Sequence, residues 1–174
     1  SVFLDGQNRV IRPAILWNDM RTTEQCKTII QTVGHQGLLK MVGNLALEGF
    51  TAPKVLWLRE KEPHNYKQLS TLFMPKDYVN FCLTGERCTD FSDASGTLLF
   101  DVKNRVWSQD MAASLGLPMN ILPDVVNSTS LIGKLTKEAS KLLSLPEGTP
   151  IICGGADNAT SAIGMGVLNE GDVQ

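Results

Sequence analysis

The sequence predicts an α/β domain in which a mixed sheet is flanked by helices. Two hairpin signals, at residues 5–8 and 103–105, indicate antiparallel strands, and helical segments are interleaved with them. The chain then closes on a strand, two glycines and a further helix, as α/β domains often do. Its 174 residues can bury one sizeable core, so we expect one domain or a large part of one.

The first half of the chain is expected to contain short strands and several helices. Two β-leaning runs surround the first turn, and the second run covers residues 11–17. Caps, early prolines and terminal glycines mark the elements after residue 17. The expected elements are a helix over 22–33 capped by Thr22, a short helix and loop broken by Gly34, Gly37 and Gly43, helices from Thr51 and Pro63, a strand over 72–74, and a helix from Pro75 to Gly85.

The second half returns to hairpin periodicity and then alternates helix and strand. The expected elements are a hairpin within 96–107, a helix from Ser108 to Leu115, a helix from Thr136 to Leu143, a buried strand over 150–153, and a helix from Asp157 onward.

The composition excludes several classes of partner. Hydrophobic residues make up 43% and charged residues 20% of the chain, and the net charge is −2. Because Lys and Arg are dispersed, we expect neither a nucleic acid nor an acidic membrane as partner. No apolar run approaches the ~18 residues that span a bilayer, and no signal peptide is evident. We therefore expect a cytoplasmic protein, of which this chain without an initiator Met is an internal piece.

Cysteine and histidine spacing argues against a metal site. The four cysteines are widely separated without a C-x-x-C pair, and His35 and His64 lie in polar stretches that we expect to be exposed. We expect buried, reduced thiols, no protein-bound metal and no Ser-His-Asp triad.

The corner at 153–160, CGGADNAT, is the strongest candidate site. Asp157 follows a strand and two glycines, where open α/β sheets place their ligands, so its carboxylate is a candidate general base. Asn158 could orient the same ligand through its amide. The alternative is that Asp157 lies at or near the helix N-cap and serves only as a cap, and the spacing alone favours this second interpretation.

Three further stretches each allow a functional and a structural interpretation. Trp17, followed by Asn18 and Asp19, could pack against the C–H face of a sugar, or it could be a core residue. Lys54 could bind an anion, but the more common case is a solvent-exposed lysine, with Trp57 in the core. The run TDFSDASG at 89–96 could bind Mg²⁺, but we favour carboxylates that tie down a loop.

Nucleotide-binding fingerprints are missing from the sequence. It contains no P-loop pattern, and no G-x-G-x-x-G follows a strand, so a dinucleotide-binding domain is disfavoured.

Several collinear segments nevertheless resemble one family, the FGGY carbohydrate kinases, and within it the xylulokinases. The matching segments span nearly the whole chain. They are RPAILWNDMR at 12–21, GN at 43–44, GFTAPKVLW at 49–57, LFMPKDY at 72–78, LTG at 83–85, TDFSDASGT at 89–97, Asp101, WS at 107–108 and GGADNA at 154–159.

The resemblance implies an actin-like, ribonuclease-H-like fold and a sugar bound in a cleft between two domains. It implies phosphorylation of D-xylulose to D-xylulose 5-phosphate by ATP with Mg²⁺, with Asp157 as catalytic base. Asn158 and Trp17 correspond to substrate-side residues. The family's phosphate-binding first strand and most of its nucleotide site would lie outside residues 1–174. We therefore expect an incomplete N-terminal kinase domain that is inactive alone.

Three positions bear on this resemblance. Gly49 stands near the place of a tyrosine in glycerol kinases, which disfavours a glycerol site. Ala156 replaces a family glycine, and Lys61 replaces an uncharged polar residue or histidine. Kinases for ribulose, gluconate or glycerol, and a non-catalytic sugar-binding homologue, remain alternatives. Oligomeric state is undetermined, with a homodimer left open.

Overall fold

The computed structural model describes residues 1–172, which form eight α-helices, two 3-10 helices (Met20–Thr22 and Met119–Ile121) and eight short strands. The strands are β1 (Val2–Leu4), β2 (Thr71–Phe73), β3 (Cys88–Asp90), β4 (Phe100–Asp101), β5 (Val106–Trp107), β6 (Asp124–Val126), β7 (Leu131–Lys134) and β8 (Pro150–Ile152). The helices are α1 (Thr23–Val42), α2 (Thr51–Lys61), α3 (Pro63–Gln68), α4 (Pro75–Thr84), α5 (Phe91–Ser95), α6 (Gln109–Ser114), α7 (Lys137–Leu143) and α8 (Asp157–Gly164).

Strand pairing is mixed, as expected. In the described residues β1 pairs with β2, β4 with β5 and β7 with β8 in antiparallel fashion, whereas β3 and β6 are parallel. Each pair forms its own two-stranded sheet, so none of the sheets in the described residues contains both orientations. The predicted α/β class is confirmed, but the strands form separate pairs instead of one mixed sheet.

The first turn forms, but the second β-leaning run does not become a strand. Asp5 Oδ1 accepts hydrogen bonds from the backbone nitrogens of Gln7 and Arg9, and one antiparallel bridge joins Leu4 to Val10. The strand prediction for residues 11–17 is wrong. Pro13 has no N–H to donate to a ladder, and β1 takes β2 as its strand partner.

The main core lies between α1, α2 and the segment around α6. Helix α1 is kinked at Gly34, whose φ of 74° is a left-handed value, so the predicted break there is confirmed although helix resumes as far as Val42. Burial of each large side chain contributes about 1.5–3 kcal/mol. Fully buried members of the core include Phe3, Ile29, Leu38, Val55, Leu58, Leu98 and Met111.

Helix caps follow the sequence except at Thr22. Ser108 and Thr136 accept hydrogen bonds from Met111 N and Ala139 N, each at 3.2 Å, as predicted. Thr22 occupies the N-cap position of α1 but makes no capping hydrogen bond with its side chain. The hydroxyl instead donates to the carbonyl oxygen of Glu48 at 3.5 Å, because the chain packs there against the loop before α2.

Two predictions of burial are wrong. Strand β8 forms as expected, but Ile152 is 49% exposed, because β8 pairs only with β7 among the described residues. Cys82 is exposed on α4, whereas the other three cysteines are buried. His35 and His64 are exposed, as predicted. No helix in the described part of the chain is both long and apolar enough to cross a bilayer.

Candidate active site

The chain turns sharply between β8 and α8. Gly154 has φ 75°, a left-handed conformation that glycine adopts without strain. Gly155 lies close to α5, since a Cβ at this position would stand 3.2 Å from Ser92 Oγ. Ala156 is the N-cap residue, and Asp157 is therefore the first residue of the helix rather than its cap.

Asp157 presents an exposed carboxylate at this corner. Its Oδ1 accepts a hydrogen bond from the backbone nitrogen of Asn158 at 2.8 Å, and its Oδ2 accepts none from the described residues. The N-terminus of α8 stabilises a negative charge at this place. Asn158 lies in the same exposed turn, where its Oδ1 accepts from Ala159 N at 2.8 Å. The corner can thus offer a carboxylate oxygen to an incoming hydroxyl.

Trp17 is 78% exposed, which excludes the alternative of a core tryptophan. Its carbonyl oxygen lies against Gly49, where a Cβ would approach to 3.4 Å. In the part of the chain described, Trp17 makes no hydrogen bond or ring contact with Asp157. The structure therefore keeps Asp157 and Asn158 together and leaves Trp17 on a separate segment, and its role towards a sugar stays a prediction.

Two arginines that flank Trp17 in sequence contact a second indole, that of Trp57. The guanidinium carbons of Arg12 and Arg21 lie 5.5 and 4.8 Å from the Trp57 ring centroid. Arg12 also pairs with Glu62 at 3.0 Å, and Arg21 pairs with Asp19 at 2.7 Å. The hydrogen bonds from Arg21 lower the pKa of Asp19. Trp57 packs against the core, as predicted.

Lys54 is buried, so the expectation of a solvent-exposed side chain is wrong. It is 2% exposed, and its Nζ donates a hydrogen bond to the carbonyl oxygen of Gly49 at 2.7 Å. Burial lowers the pKa of Lys54, partly offset by the charge of Asp19. Tertiary packing of α2 against the preceding loop overrides the usual preference of lysine for solvent.

A charged cluster that we did not predict lies behind the corner. Lys76 Nζ is 2.8 Å from Asp77 and 3.3 Å from each of Asp90 and Asp93. Burial raises the pKa of Asp93 to about 6, with the charge of Asp77 adding to the shift. Burial opposes the charge of Lys76, but its hydrogen bond to Asp77 raises the pKa overall. One signal was available in the sequence, namely the PKD run that opens α4.

The carboxylate of Asp90 ties down its loop, as the favoured interpretation of the run at 89–96 predicted. Asp90 caps α5 by accepting from the backbone nitrogens of Ser92 and Asp93 at 3.0 and 3.3 Å. Within residues 1–172, no group of three or more His, Cys, Asp or Glu could hold a metal ion. These carboxylates therefore order a loop around Lys76.

Most of the chain matches a known family of proteins. Residues 1–164 match the N-terminal domain of the FGGY family of carbohydrate kinases. The chain belongs to the FGGY family. This confirms the resemblance drawn from the motifs, including the GFTAPKVLW and GGADNA segments.

Individual members of the FGGY family also align with nearly the whole of this chain. The chain is 44% identical over 170 residues to the xylulose kinase of Bacillus subtilis and 43% identical over 169 residues to that of Lactococcus lactis. These alignments cover 98% and 97% of this chain but only 34% of each relative, so the chain spans about a third of their length. The solved xylulose kinase of Rhodospirillum rubrum superposes with TM-score 0.93 at 30% identity, over 99% of this chain and 35% of that one. The actin-like fold class is thereby confirmed.

Proposed function

We propose that the protein containing this chain transfers the γ-phosphoryl group of ATP to D-xylulose, giving D-xylulose 5-phosphate, with Asp157 as general base. The observation that carries the proposal is the exposed Asp157 carboxylate at the glycine corner, with Oδ2 open to a substrate hydroxyl. Similarity to xylulose kinases of two bacteria supports the choice of sugar.

In the proposed reaction, an oxygen of the Asp157 carboxylate accepts the proton of the sugar hydroxyl as that hydroxyl oxygen bonds to phosphorus. The bond from phosphorus to the leaving ADP oxygen breaks in the same displacement. Asn158, adjacent on the first turn of α8, would orient the sugar. Trp17 would offer its exposed ring face to substrate C–H groups.

Charge neutralisation on the phosphates is expected to come from Mg²⁺. This chain spans only 34% of each of two xylulose kinase relatives, and we propose that most of the ATP site, with its Mg²⁺, is contributed by other parts of the protein. On this proposal, residues 1–174 alone do not phosphorylate D-xylulose.

The experiment is an ADP-release assay on the full-length protein with D-xylulose, D-ribulose, gluconate and glycerol. We expect the highest kcat/KM for D-xylulose, and Asp157→Asn should lower kcat by ~10²–10⁴-fold. Asp110→Asn is the matched control, because Asp110 is also an exposed aspartate in the first turn of a helix. Near-normal turnover by Asp157→Asn would remove the base role, and binding of D-xylulose without turnover by the unmodified protein would indicate a sugar-binding homologue.

A further inference from the structure

The side chain of Asp157 is exposed, so its position depends on the backbone that precedes it. Cys153, which directly follows β8, forms hydrogen bonds through both its backbone nitrogen and its carbonyl oxygen. Its backbone nitrogen donates to the carbonyl of Ser130 at 3.0 Å. Its carbonyl oxygen accepts from Asn80 Nδ2 at 2.7 Å and from Lys76 Nζ at 3.3 Å. The strand end is therefore anchored to α4 and to the loop before β7.

The far end of the corner is joined to α5 by the side chain of Ser92. Ser92 Oγ accepts a hydrogen bond from the backbone nitrogen of Ala156 at 2.8 Å, across 64 positions of sequence. The same hydroxyl donates its proton to Asp90 Oδ2. Because a serine hydroxyl has only one proton, this bond to Asp90 turns a lone pair of Ser92 towards the Ala156 N–H. Ala156 is bonded directly to Asp157.

Asp90 is itself fixed in place. Its side chain is fully buried, its Oδ2 accepts from Ser128 Oγ at 2.7 Å, and its Oδ1 lies 3.3 Å from Lys76 Nζ. Gly155 packs closely against this contact. A Cβ on Gly155 would lie 3.2 Å from Ser92 Oγ and 3.6 Å from Asp90 Oδ2. Ser92 thus joins a rigid buried carboxylate to the backbone that carries Asp157.

We propose that Ser92, oriented by Asp90, is a positioning residue that sets the place of Asp157 through the backbone of Ala156. This inference rests on the proposed role of Asp157 as base. Ser92 does not need to touch the substrate. Its effect is to hold the first turn of α8, and a displacement near 1 Å at a reacting group can lower a rate by ~10²-fold.

The experiment uses the full-length protein and the variants Ser92→Ala, Asp157→Asn and both together. We expect Ser92→Ala to lower kcat by about 10- to 100-fold while KM for D-xylulose changes by less than about 2-fold. In the Asp157→Asn background the same substitution should change the residual rate by less than about 2-fold, because the group that Ser92 positions is already gone. A general structural defect would instead lower the rate by the same factor in the unmodified protein and in the Asp157→Asn variant.

Ser95→Ala is the matched control, since Ser95 lies on the same short helix and donates to the carbonyl of Ser92 at 2.6 Å without reaching the corner. If Ser92→Ala unfolds the protein, Ser92→Cys takes its place, because a thiol is similarly placed but accepts a hydrogen bond weakly.

The outcomes separate this inference from the proposed function. If Asp157→Asn is inactive and Ser92→Ala matches Ser95→Ala, only the positioning role is overturned. A loss of kcat from Ser92→Ala that persists undiminished in Asp157→Asn also overturns it. If Asp157→Asn retains near-normal turnover, the proposed base is wrong and the inference fails with it.

Discussion

Lys54 Nζ lies 2.7 Å from the carbonyl oxygen of Gly49, and the lysine is 2% exposed. Lys54→Met keeps the apolar stem but leaves that carbonyl without its donor. We expect the free energy of unfolding to fall by roughly 1–3 kcal/mol, the cost of an unsatisfied buried acceptor. Lys61→Met, an exposed lysine on the same helix, is the control for thermal or urea unfolding. Equal stability of the two variants would show that the Lys54 contact contributes nothing.

Asp93 should make stability depend on pH. Its pKa is raised from the ordinary 3.8 to about 6 by burial and by the nearby carboxylates. Between these values the folded state binds more protons than the unfolded state, so the contribution of Asp93 to stability is lost as the pH rises through about 6.

The corresponding variant is Asp93→Asn, which resembles the protonated side chain. We expect it to raise the free energy of unfolding at neutral pH by roughly 1–3 kcal/mol. The gain should shrink as the pH falls from about 6 towards 3.8. Unfolding measured across that range checks this, with Asp110→Asn as control. A gain that is independent of pH would contradict the assigned shift.

Substitution of Trp17 should affect substrate binding, whereas substitution of Trp57 should affect stability. Trp17 is 78% exposed, so Trp17→Ala should leave the Tm unchanged. If the Trp17 ring contacts the sugar, its removal should raise the KM for D-xylulose about 3- to 10-fold, because one aromatic ring contact contributes about that much to binding. Trp57→Ala removes a partly buried ring that contacts two arginines, and we expect a loss of roughly 2–4 kcal/mol in unfolding free energy. A large fall in Tm for Trp17→Ala would reverse this assignment.

Gly155→Ala should impair turnover without abolishing folding. The new methyl would stand 3.2 Å from Ser92 Oγ and 3.3 Å from Thr160 Cγ2, so these side chains, or the start of α8 with them, must give way by a few tenths of an ångström. We expect kcat to fall at least about 10-fold, since Asp157 moves with the helix. Gly164→Ala is the control, because no other part of the described chain, apart from its chain neighbours and its own helix backbone, lies within 4 Å of the added Cβ. Turnover of Gly155→Ala equal to that of the control would show that the corner tolerates the displacement.

Thiol labelling should modify Cys82 first. Cys82 is exposed on α4. The other three thiols are buried, and burial raises the pKa of Cys26 to about 11 and that of Cys153 to about 12. Because the thiolate is the reactive form, those two should react slowly. Peptide mapping after brief alkylation of the folded protein tests this, and Cys82→Ser should remove the early product. Rapid modification of Cys153 would mean that the corner opens readily.

Much of the local structure could be predicted because its signals act over a few residues. Ser108 and Thr136 cap the helices they precede, Pro75 begins α4, and Gly154 adopts the positive φ that the corner needs. Each depends on hydrogen bonds or steric limits within one turn of chain.

Predictions that required knowledge of packing were less successful. The run 11–17 has β propensity but no partner strand, and β8 forms with only one neighbour in the described residues. Lys54 is buried although lysine in the first turn of a helix is usually solvated. In each case the environment consists of residues distant in sequence, and local propensity carries no information about them.

The collinear motifs were sufficient to identify the family, and the two glycines at a strand end were sufficient to mark Asp157 as a candidate. How that residue is held depends on the packing of distant segments. The contact between Ser92 and Ala156 joins α5 to the start of α8, and the carboxylate of Asp90 that orients Ser92 is itself fixed by Ser128 and Lys76. The Asp90–Ser92 bond is local, but the contacts of Ser92 with Ala156 and of Asp90 with Ser128 and Lys76 form only when segments distant in sequence pack together.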